Sequence, residues 1–348
     1  MTKIAVIHNS YLEMPAGSQP QDGGFNEEKA LAYVQSNIDR QLENIHQAGT
    51  EKADIVVTHE DFTNAGAYGW ARLKYPDLFK SLVLKTTSSI IERMGAAAKK
   101  YSMMIAANHY ECAEGKLYNT SFLYGRNGEI IGRYKKVHLP SAERWGVTAG
   151  DEYPVYKTDI GNIGFITCYD IYFPEACRAL ALNGADIVIH QTQGWGWSAK
   201  TPDGCGGILG EAYMRTRAAE NSVYLITSKV VQNGGKDGGR SVVLDNNGRI
   251  LADSGTSEEK ILYAEIDEFD FDYKDEYAYN SLYSGIPALR PVFMLSRRPD
   301  TYGVFIEESP EIIKRYPGLR FKDGPGEPEE ILKSFNALPD DEKKKYHW

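Results

Sequence analysis

Residues 162–175 have the sequence NIGFITCYDIYFPE, which predicts a buried strand, a tight turn and the start of a helix. The run from Gly164 to Thr167 is typical of a short strand in a sheet core. Pro174 suits the first turn of a helix, where its missing N–H removes no hydrogen bond. Cys168 therefore lies between a strand end and a helix start. Nearby backbone N–H groups and the helix dipole favour a thiolate, so we expect Cys168 to be a nucleophile.

The composition of the 348-residue chain is that of a globular protein, with 42% hydrophobic and 25% charged residues. A formal net charge of -9 argues against nonspecific binding to nucleic acid or to an anionic membrane. No run approaches a transmembrane span, and the first apolar run is too short for a secretory signal, so we expect a cytoplasmic protein. The cysteines at positions 112, 168, 177 and 205 form no CxxC pair, which favours free thiols, and the seven histidines show no metal-binding spacing.

Strands and helices alternate along residues 3–267, and some strands are joined by hairpins. Apolar residues at helical spacing predict one helix from Asn26 to about Gln47 and another from Thr86 to Lys100. The tripeptide Arg126-Asn127-Gly128 between two β-prone runs indicates a hairpin. This mixture predicts an α/β fold of mixed sheets with helices outside. The predicted strands cover residues 3–8, 53–58, 103–107, 117–124, 129–136, 162–167, 186–190, 222–228, 241–244, 249–252 and 261–266.

The composition changes after Asp267, where tyrosines, then prolines and finally a charged tail follow one another. We expect residues 1–267 to form one domain. We expect residues 268–348 to form an extension that packs on this domain or on a partner subunit, with the final residues disordered.

Three predicted strands end in residues of complementary chemistry. Glu60 follows one strand, Lys136 ends a second and Cys168 ends a third. Ligands of α/β sheets gather at the carboxyl ends of strands, so these side chains are expected to meet. A cysteine nucleophile needs a base, and a tetrahedral intermediate needs positive charge near its oxyanion. The sequence supplies one residue for each of these needs.

The order Glu60, Lys136, Cys168 resembles the nitrilase superfamily of carbon–nitrogen hydrolases. The resemblance covers roughly residues 3–267, and its strength comes from several motifs in the right order and spacing. The motifs are GRYKKVHLP at residues 132–140, CYD at 168–170, FPE at 173–175 and RAAEN at 217–221.

The resemblance implies an α-β-β-α sandwich and a homodimer or larger homo-oligomer built on it. It also implies that no metal or organic cofactor is needed. It assigns Glu60 as the general base, Lys136 as support for the oxyanion, Glu143 as a second glutamate and Cys168 as the nucleophile. Candidate oxyanion and substrate contacts are Tyr169, through its backbone N–H, and Tyr172, Gln193 and Trp195; the loop of Trp195 could equally just cover the sheet end.

The residues around Cys168 also bear on the substrate. Nitrile-cleaving members of the superfamily usually have Cys-Trp-Glu, whereas this chain has Cys168-Tyr169-Asp170. Members that bind a substrate carboxylate tend to carry arginine three or four residues after the cysteine, where this chain has Ile171 and Tyr172. We therefore expect a small substrate that is neutral or cationic near the scissile group, an aliphatic amide or an N-carbamoyl compound.

Three other interpretations compete with an amidase. A nitrilase is the alternative enzyme of the same superfamily, and a catalytically silent binding protein is the alternative without chemistry. The intact set of Glu60, Lys136 and Cys168 argues against the second. A Cys–His protease dyad with His59 or His138 is a poor fit, because neither histidine lies in a sequence signature for it.

Overall fold

The structure is a computed structural model that describes residues 1–69, 75–140, 143–193, 206–231, 240–255, 258–266 and 294–306. These residues form two six-stranded sheets and four longer helices. The helices are α1 (Glu27–Thr50), α2 (Pro76–Tyr101), α3 (Pro174–Leu182) and α4 (Gly206–Asn221). The strands are β1 (Thr2–His8), β2 (Ile55–Val57), β3 (Met104–Ala113), β4 (Lys116–Tyr124), β5 (Ile130–Lys135), β6 (Val155–Thr158), β7 (Gly161–Thr167), β8 (Ile187–Thr192), β9 (Tyr224–Lys229), β10 (Val242–Leu244), β11 (Ile250–Asp253) and β12 (Lys260–Ile266).

Both sheets are mixed, and each has parallel strands at its centre. The first sheet has the order β12-β1-β2-β3-β4-β5, and the second has the order β11-β10-β9-β8-β7-β6. In the first sheet β1, β2 and β3 are parallel, and in the second β7, β8 and β9 are parallel. The remaining pairs are antiparallel and include the hairpin predicted at Arg126–Gly128. The carboxyl ends of these central parallel strands carry the residues described below.

The alternation of side chains along each strand builds the layers. Ile4 and Val6 of β1 point into the core between the sheets, whereas Ala5 and Ile7 pack under the helices. On β7, Ile163 and Phe165 face the first sheet, and Ile166 faces α3 and α4. Because both faces of the central strands are buried, their sequences are almost continuously apolar. The predicted α-β-β-α sandwich is confirmed.

Local signals explain where the helices begin. The Asn26 side chain accepts a hydrogen bond from the Glu28 N–H at 2.7 Å and so caps α1, as predicted. Helix α2 begins at Pro76, ten residues before the predicted start at Thr86, because a proline in the first turn opens a helix without loss of a hydrogen bond.

The strand predictions were too short in one place and missed one strand. β3 continues to Ala113, because its polar residues after Ala107 pair with β4 instead of ending the strand. The edge strand β6 was not predicted.

Much of the predicted C-terminal extension lies outside the described residues. Within it the structure describes residues 294–306, where Met294 packs against the apolar cluster beneath α3 and α4. The role of the extension and the oligomeric state therefore stay predictions. In the described part of the chain, no helix has the length and apolar character needed to cross a membrane.

Several histidines are fully buried, and their neutral forms are favoured. Burial lowers the pKa of His8, His59, His109 and His190 to about 4, from an ordinary value of 6.5. Between pH 6.5 and 4 the unfolded chain therefore binds protons that the folded chain does not, so stability falls as the pH falls through this window. Asp61, whose pKa burial raises to about 7, acts in the opposite direction and offsets part of the loss.

We predict that the free energy of unfolding decreases from pH 6.5 to pH 4.5, as measured by urea denaturation. His109 stacks on Phe122 with a centroid distance of 4.5 Å, so His109→Phe keeps a ring in place and removes one titrating group. The average pH slope of the unfolding free energy over this range should be smaller in the variant by about 1 kcal/mol per pH unit. Equal slopes for the two proteins would contradict the assignment.

Candidate active site

Glu60, Lys136 and Cys168 meet at the strand ends, as the sequence predicts. Glu60 follows β2 of the first sheet, Lys136 comes directly after β5 of the same sheet, and Cys168 follows β7 of the second sheet. The charges of Glu60, Lys136 and Glu143 all act on the Cys168 thiol. The site therefore lies at the carboxyl ends of β2 and the edge strand β5 of the first sheet and of β7 of the second.

The Lys136 ammonium is buried between two carboxylates. Its Nζ lies 2.9 Å from Glu60 Oε1 and 2.7 Å from Glu143 Oε2, and the Lys136 side chain is only 1% exposed. Burial opposes the charge on Lys136, but the carboxylates of Glu143 and Glu60 outweigh it and raise the pKa of the ammonium well above its ordinary value. Lys136 is therefore charged at neutral pH, and Glu143 lies where the sequence placed it.

Two residues that the sequence did not predict complete this arrangement. Asn119 Nδ2 donates hydrogen bonds to Glu60 Oε1 at 2.9 Å and to Glu143 Oε1 at 2.8 Å. Tyr110 Oη donates to the same oxygen of Glu143 at 2.9 Å. Both residues lie in the β3–β4 hairpin. A signal for Asn119 existed, since an asparagine in a buried strand must find a hydrogen-bond partner.

The other contacts of Glu60 come from two separate segments and from the neighbouring residue His59. The backbone N–H of Gln193 donates to Glu60 Oε2 at 2.9 Å, so both carboxylate oxygens are engaged. The Glu60 carbonyl accepts from Tyr11 Oη at 3.0 Å and lies 3.0 Å from His59 Nδ1, whose N–H form donates to it. These contacts fix both the main chain and the side chain of Glu60.

Burial raises the pKa of Glu143, although the neighbouring Lys136 ammonium opposes this. Glu143 therefore has an added tendency to bind a proton at a site where two carboxyl groups share one ammonium.

Cys168 has an unusual backbone conformation for a residue with a side chain. Its φ is +48°, in the left-handed region. A short 3₁₀ helix (Cys168–Tyr172) begins at this residue and precedes α3. The His190 Nε2 N–H donates to the Cys168 carbonyl at 3.3 Å. A left-handed conformation of a non-glycine residue carries strain, and such strain is often found at functional sites.

The expectation that the helix start favours a thiolate was wrong. Burial, reinforced by the negative charge of Glu60, raises the pKa of the Cys168 thiol to about 12, while Lys136 and a hydrogen bond with Thr192 act in the opposite direction. The physical reason is that the loss of hydration of the thiolate outweighs the stabilisation that Lys136 and Thr192 provide. The resting thiol is therefore protonated.

The remaining predicted contacts are placed as follows. Tyr169 and Tyr172 are half-buried, and their ring centroids are 5.4 Å apart. Burial and the negative charge that Cys168 would carry as a thiolate raise the pKa of the Tyr172 hydroxyl to about 12. Gln193 contacts Glu60 through its backbone, and Trp195 lies outside the described residues. Substrate contacts by these residues stay predictions.

Among the described residues, no group of three or more His, Cys, Asp or Glu side chains is arranged to hold a metal ion. The chemistry that the described side chains offer is that of an acid, a base, a thiol and a fixed positive charge.

The chain is similar to known proteins in both sequence and fold. The family described as carbon-nitrogen hydrolase matches residues 28–270. A citrullinase of Francisella tularensis is 27% identical over 325 residues, covering 90% of this chain and 99% of that protein. The crystal structure of a carbon-nitrogen hydrolase from Helicobacter pylori has a TM-score of 0.69 at 23% identity and covers 88% of this chain and 98% of that one.

A mutant of an amidase from Nesterenkonia sp. AN1 has a TM-score of 0.62 at 18% identity, covering 86% of this chain and 95% of that one. In that structure the acetamide moiety of fluoroacetamide is covalently added to the active-site cysteine.

We predict that Lys136→Met destabilises the fold by about 3–5 kcal/mol at pH 7.5, because it leaves two buried carboxylates without a cation. The control is Lys135→Met at the neighbouring position, where Nζ lies 3.9 Å from the ring centroid of Tyr118. That variant should lose less than about 1 kcal/mol. Urea denaturation measures both, and equal losses would show that the ammonium is not needed to hold the carboxylates.

Proposed function

Because the chain belongs to the carbon-nitrogen hydrolase family, we propose that it hydrolyses an aliphatic amide or an N-carbamoyl compound through an acyl-enzyme and releases ammonia. The observation that carries the proposal is the buried Lys136 ammonium between Glu60 and Glu143, beside the Cys168 thiol. Members of this family cleave non-peptide carbon–nitrogen bonds. The amide or N-carbamoyl class of the bond and the role of each residue are what we propose for this chain.

Glu60 is the general base of the proposed mechanism. A thiol whose pKa is raised to about 12 is not ionised at neutral pH, so attack requires a base that takes the proton as the new bond forms. Glu60 is paired with the Lys136 ammonium and is held by hydrogen bonds from Asn119 and the Gln193 backbone. In this step the proton of Cys168 passes to Glu60, and the sulfur attacks the carbonyl carbon.

Lys136 stabilises the oxyanion that this attack creates. Its charge is already present and buried, so it needs no rearrangement when negative charge develops on the carbonyl oxygen. The backbone N–H of Tyr169, directly after the nucleophile, is the second proposed donor. Burial strengthens both interactions, because the low dielectric screens charge poorly.

The protonated Glu60 then donates its proton to the departing nitrogen, and ammonia leaves. A water molecule, activated by the same carboxylate, attacks the thioester and releases the product with the free thiol. Glu143 assists by holding Lys136, and its raised pKa makes it a second group able to carry a proton in this step.

The surroundings of Cys168 support a substrate that is uncharged near its scissile bond. Ile171 is fully buried, and Tyr172 presents a half-buried phenol beside the thiol. The Arg217 guanidinium is bonded to the carbonyls of Ile171 and Tyr172 and to Glu220. It therefore holds the main chain behind the site. Similarity to a citrullinase, named for a ureido compound, supports the N-carbamoyl class.

We predict that Cys168→Ala abolishes ammonia release from every member of a panel of aliphatic amides, ureido compounds and nitriles. Cys112→Ala, at a half-buried cysteine of β3, is the matched control and should keep wild-type activity. Activity of the Cys168→Ala protein would refute the proposal. A wild-type protein that consumes only nitriles would instead identify a nitrilase.

A further inference from the structure

Asp170 is a fully buried carboxylate that the proposed chemistry does not use. It lies two residues after Cys168, within the 3₁₀ helix that follows the nucleophile. Its Oδ2 accepts hydrogen bonds from the Thr167 backbone N–H at 2.8 Å and from Tyr134 Oη at 2.6 Å. The first contact lies within the turn that carries Cys168 (residues 167–172, called the nucleophile turn below). The second contact comes from β5 of the other sheet.

The second oxygen of Asp170 binds the segment that carries Lys136. Oδ1 accepts from the His138 backbone N–H at 2.8 Å and from His138 Nδ1 at 2.9 Å. The His138 ring also stacks on Phe173 with a centroid distance of 3.7 Å. The side chain of Asp170 therefore joins the nucleophile turn of the second sheet to residues 136–138 of the first, called the lysine segment below.

Tyr134 strengthens the same connection. Its hydroxyl donates to Asp170 and accepts from the Val137 backbone N–H at 3.3 Å. Val137 is the residue directly after Lys136. The hydroxyl thus links Asp170 to the main chain beside the lysine, and Tyr134 is fully buried in the core between the sheets.

We propose that Asp170 is a positioning residue that holds the Lys136 ammonium in place relative to the Cys168 sulfur. The inference rests on the proposed function, because it assigns Lys136 to the oxyanion and Cys168 to the attack. Lys136 and Cys168 belong to different sheets, so their separation depends on contacts that cross between the sheets. A misplacement of about 1 Å at such a site can lower the rate about 100-fold.

A purely structural role is the competing explanation. Asp170 and Thr167 form a reciprocal capping box at the start of the 3₁₀ helix, and a cap alone contributes only to stability. The two explanations differ in what they predict for the reactivity of the Cys168 thiol in folded protein. A cap leaves that reactivity unchanged, whereas a positioning role alters it through Lys136.

The charges around Cys168 give the effect a definite sign. Lys136 lowers the pKa of the thiol, so its displacement raises that pKa and slows alkylation. Replacement of Asp170 that leaves Lys136 in place would keep this influence of Lys136 on the thiol and would not slow alkylation. The titratable groups that face Cys168 are Glu60 after β2, Lys136 after β5, Glu143, Tyr172 of the 3₁₀ helix and His190 of β8.

The test compares Asp170→Asn and Tyr134→Phe with the control Asp186→Asn. Asp186 accepts the Asn162 N–H at 2.9 Å at the opposite end of β7, so the control alters a similar contact away from the site. With an amide or ureido substrate, kcat should fall about 100-fold in Asp170→Asn and about 10-fold in Tyr134→Phe. KM should change far less than kcat, and the control should match the wild type.

The second readout is the rate at which iodoacetamide alkylates Cys168 between pH 6 and 10, followed by intact mass. We expect slower alkylation and a profile shifted to higher pH in both variants. The proposal would be overturned if either folded variant had both the alkylation rate and the kcat of the wild type. Faster alkylation of Asp170→Asn than of the wild type would also overturn it. If Asp170→Asn does not fold, the results for Tyr134→Phe, which changes no charge, test the proposal by themselves.

Alkylation needs no substrate, so the inference and the proposed function can fail separately. A wild-type protein that releases no ammonia from the panel would refute the proposed function. The alkylation profiles of the variants would still support or overturn the role of Asp170.

Discussion

The site depends on one buried ammonium shared by two carboxylates. Lys136, Glu60 and Glu143 are each almost fully buried, and an unpaired charge in such a place would be strongly unfavourable. The arrangement is tolerated because further donors complete it: Asn119 bonds to both carboxylates, Tyr110 to Glu143 and the Gln193 backbone to Glu60. Four segments of the chain must therefore fold correctly before Glu60, the proposed base, is in place.

The nucleophile turn is constrained in a similar way. Cys168 adopts a strained left-handed conformation, and the helix that follows is held on both sides by buried charged residues. Asp170 connects it to the lysine segment, and Arg217 donates to the carbonyls of Ile171 and Tyr172. Asp170 lies in the CYD motif, and His138 and Arg217 lie in the other motifs that first identified the family. The contacts give those motifs a physical role, because they join the turn that carries Cys168 to the segment that carries Lys136 and to helix α4.

The sequence predicted the layered fold and the meeting of Glu60, Lys136, Glu143 and Cys168, because strand-end positions and short motifs are local features. The catalytic roles of these residues stay predictions. It did not reveal Asn119 or Tyr110, whose importance depends on pairing between β3 and β4 and on contacts with distant residues. The ionisation of Cys168 was predicted wrongly for the same reason. A helix start is visible in the sequence, but the burial that raises the thiol pKa depends on how the two sheets pack.

The most direct test of the account is the pH profile of Cys168 alkylation in Glu60→Gln. Glu60 raises the resting pKa of the thiol, so removal of its charge alone would make Cys168 more reactive at neutral pH. If Glu60 is the base that takes the proton, the variant should instead be alkylated at least about 100-fold more slowly than the wild type at pH 7.5. Alkylation at the wild-type rate or faster would contradict the account.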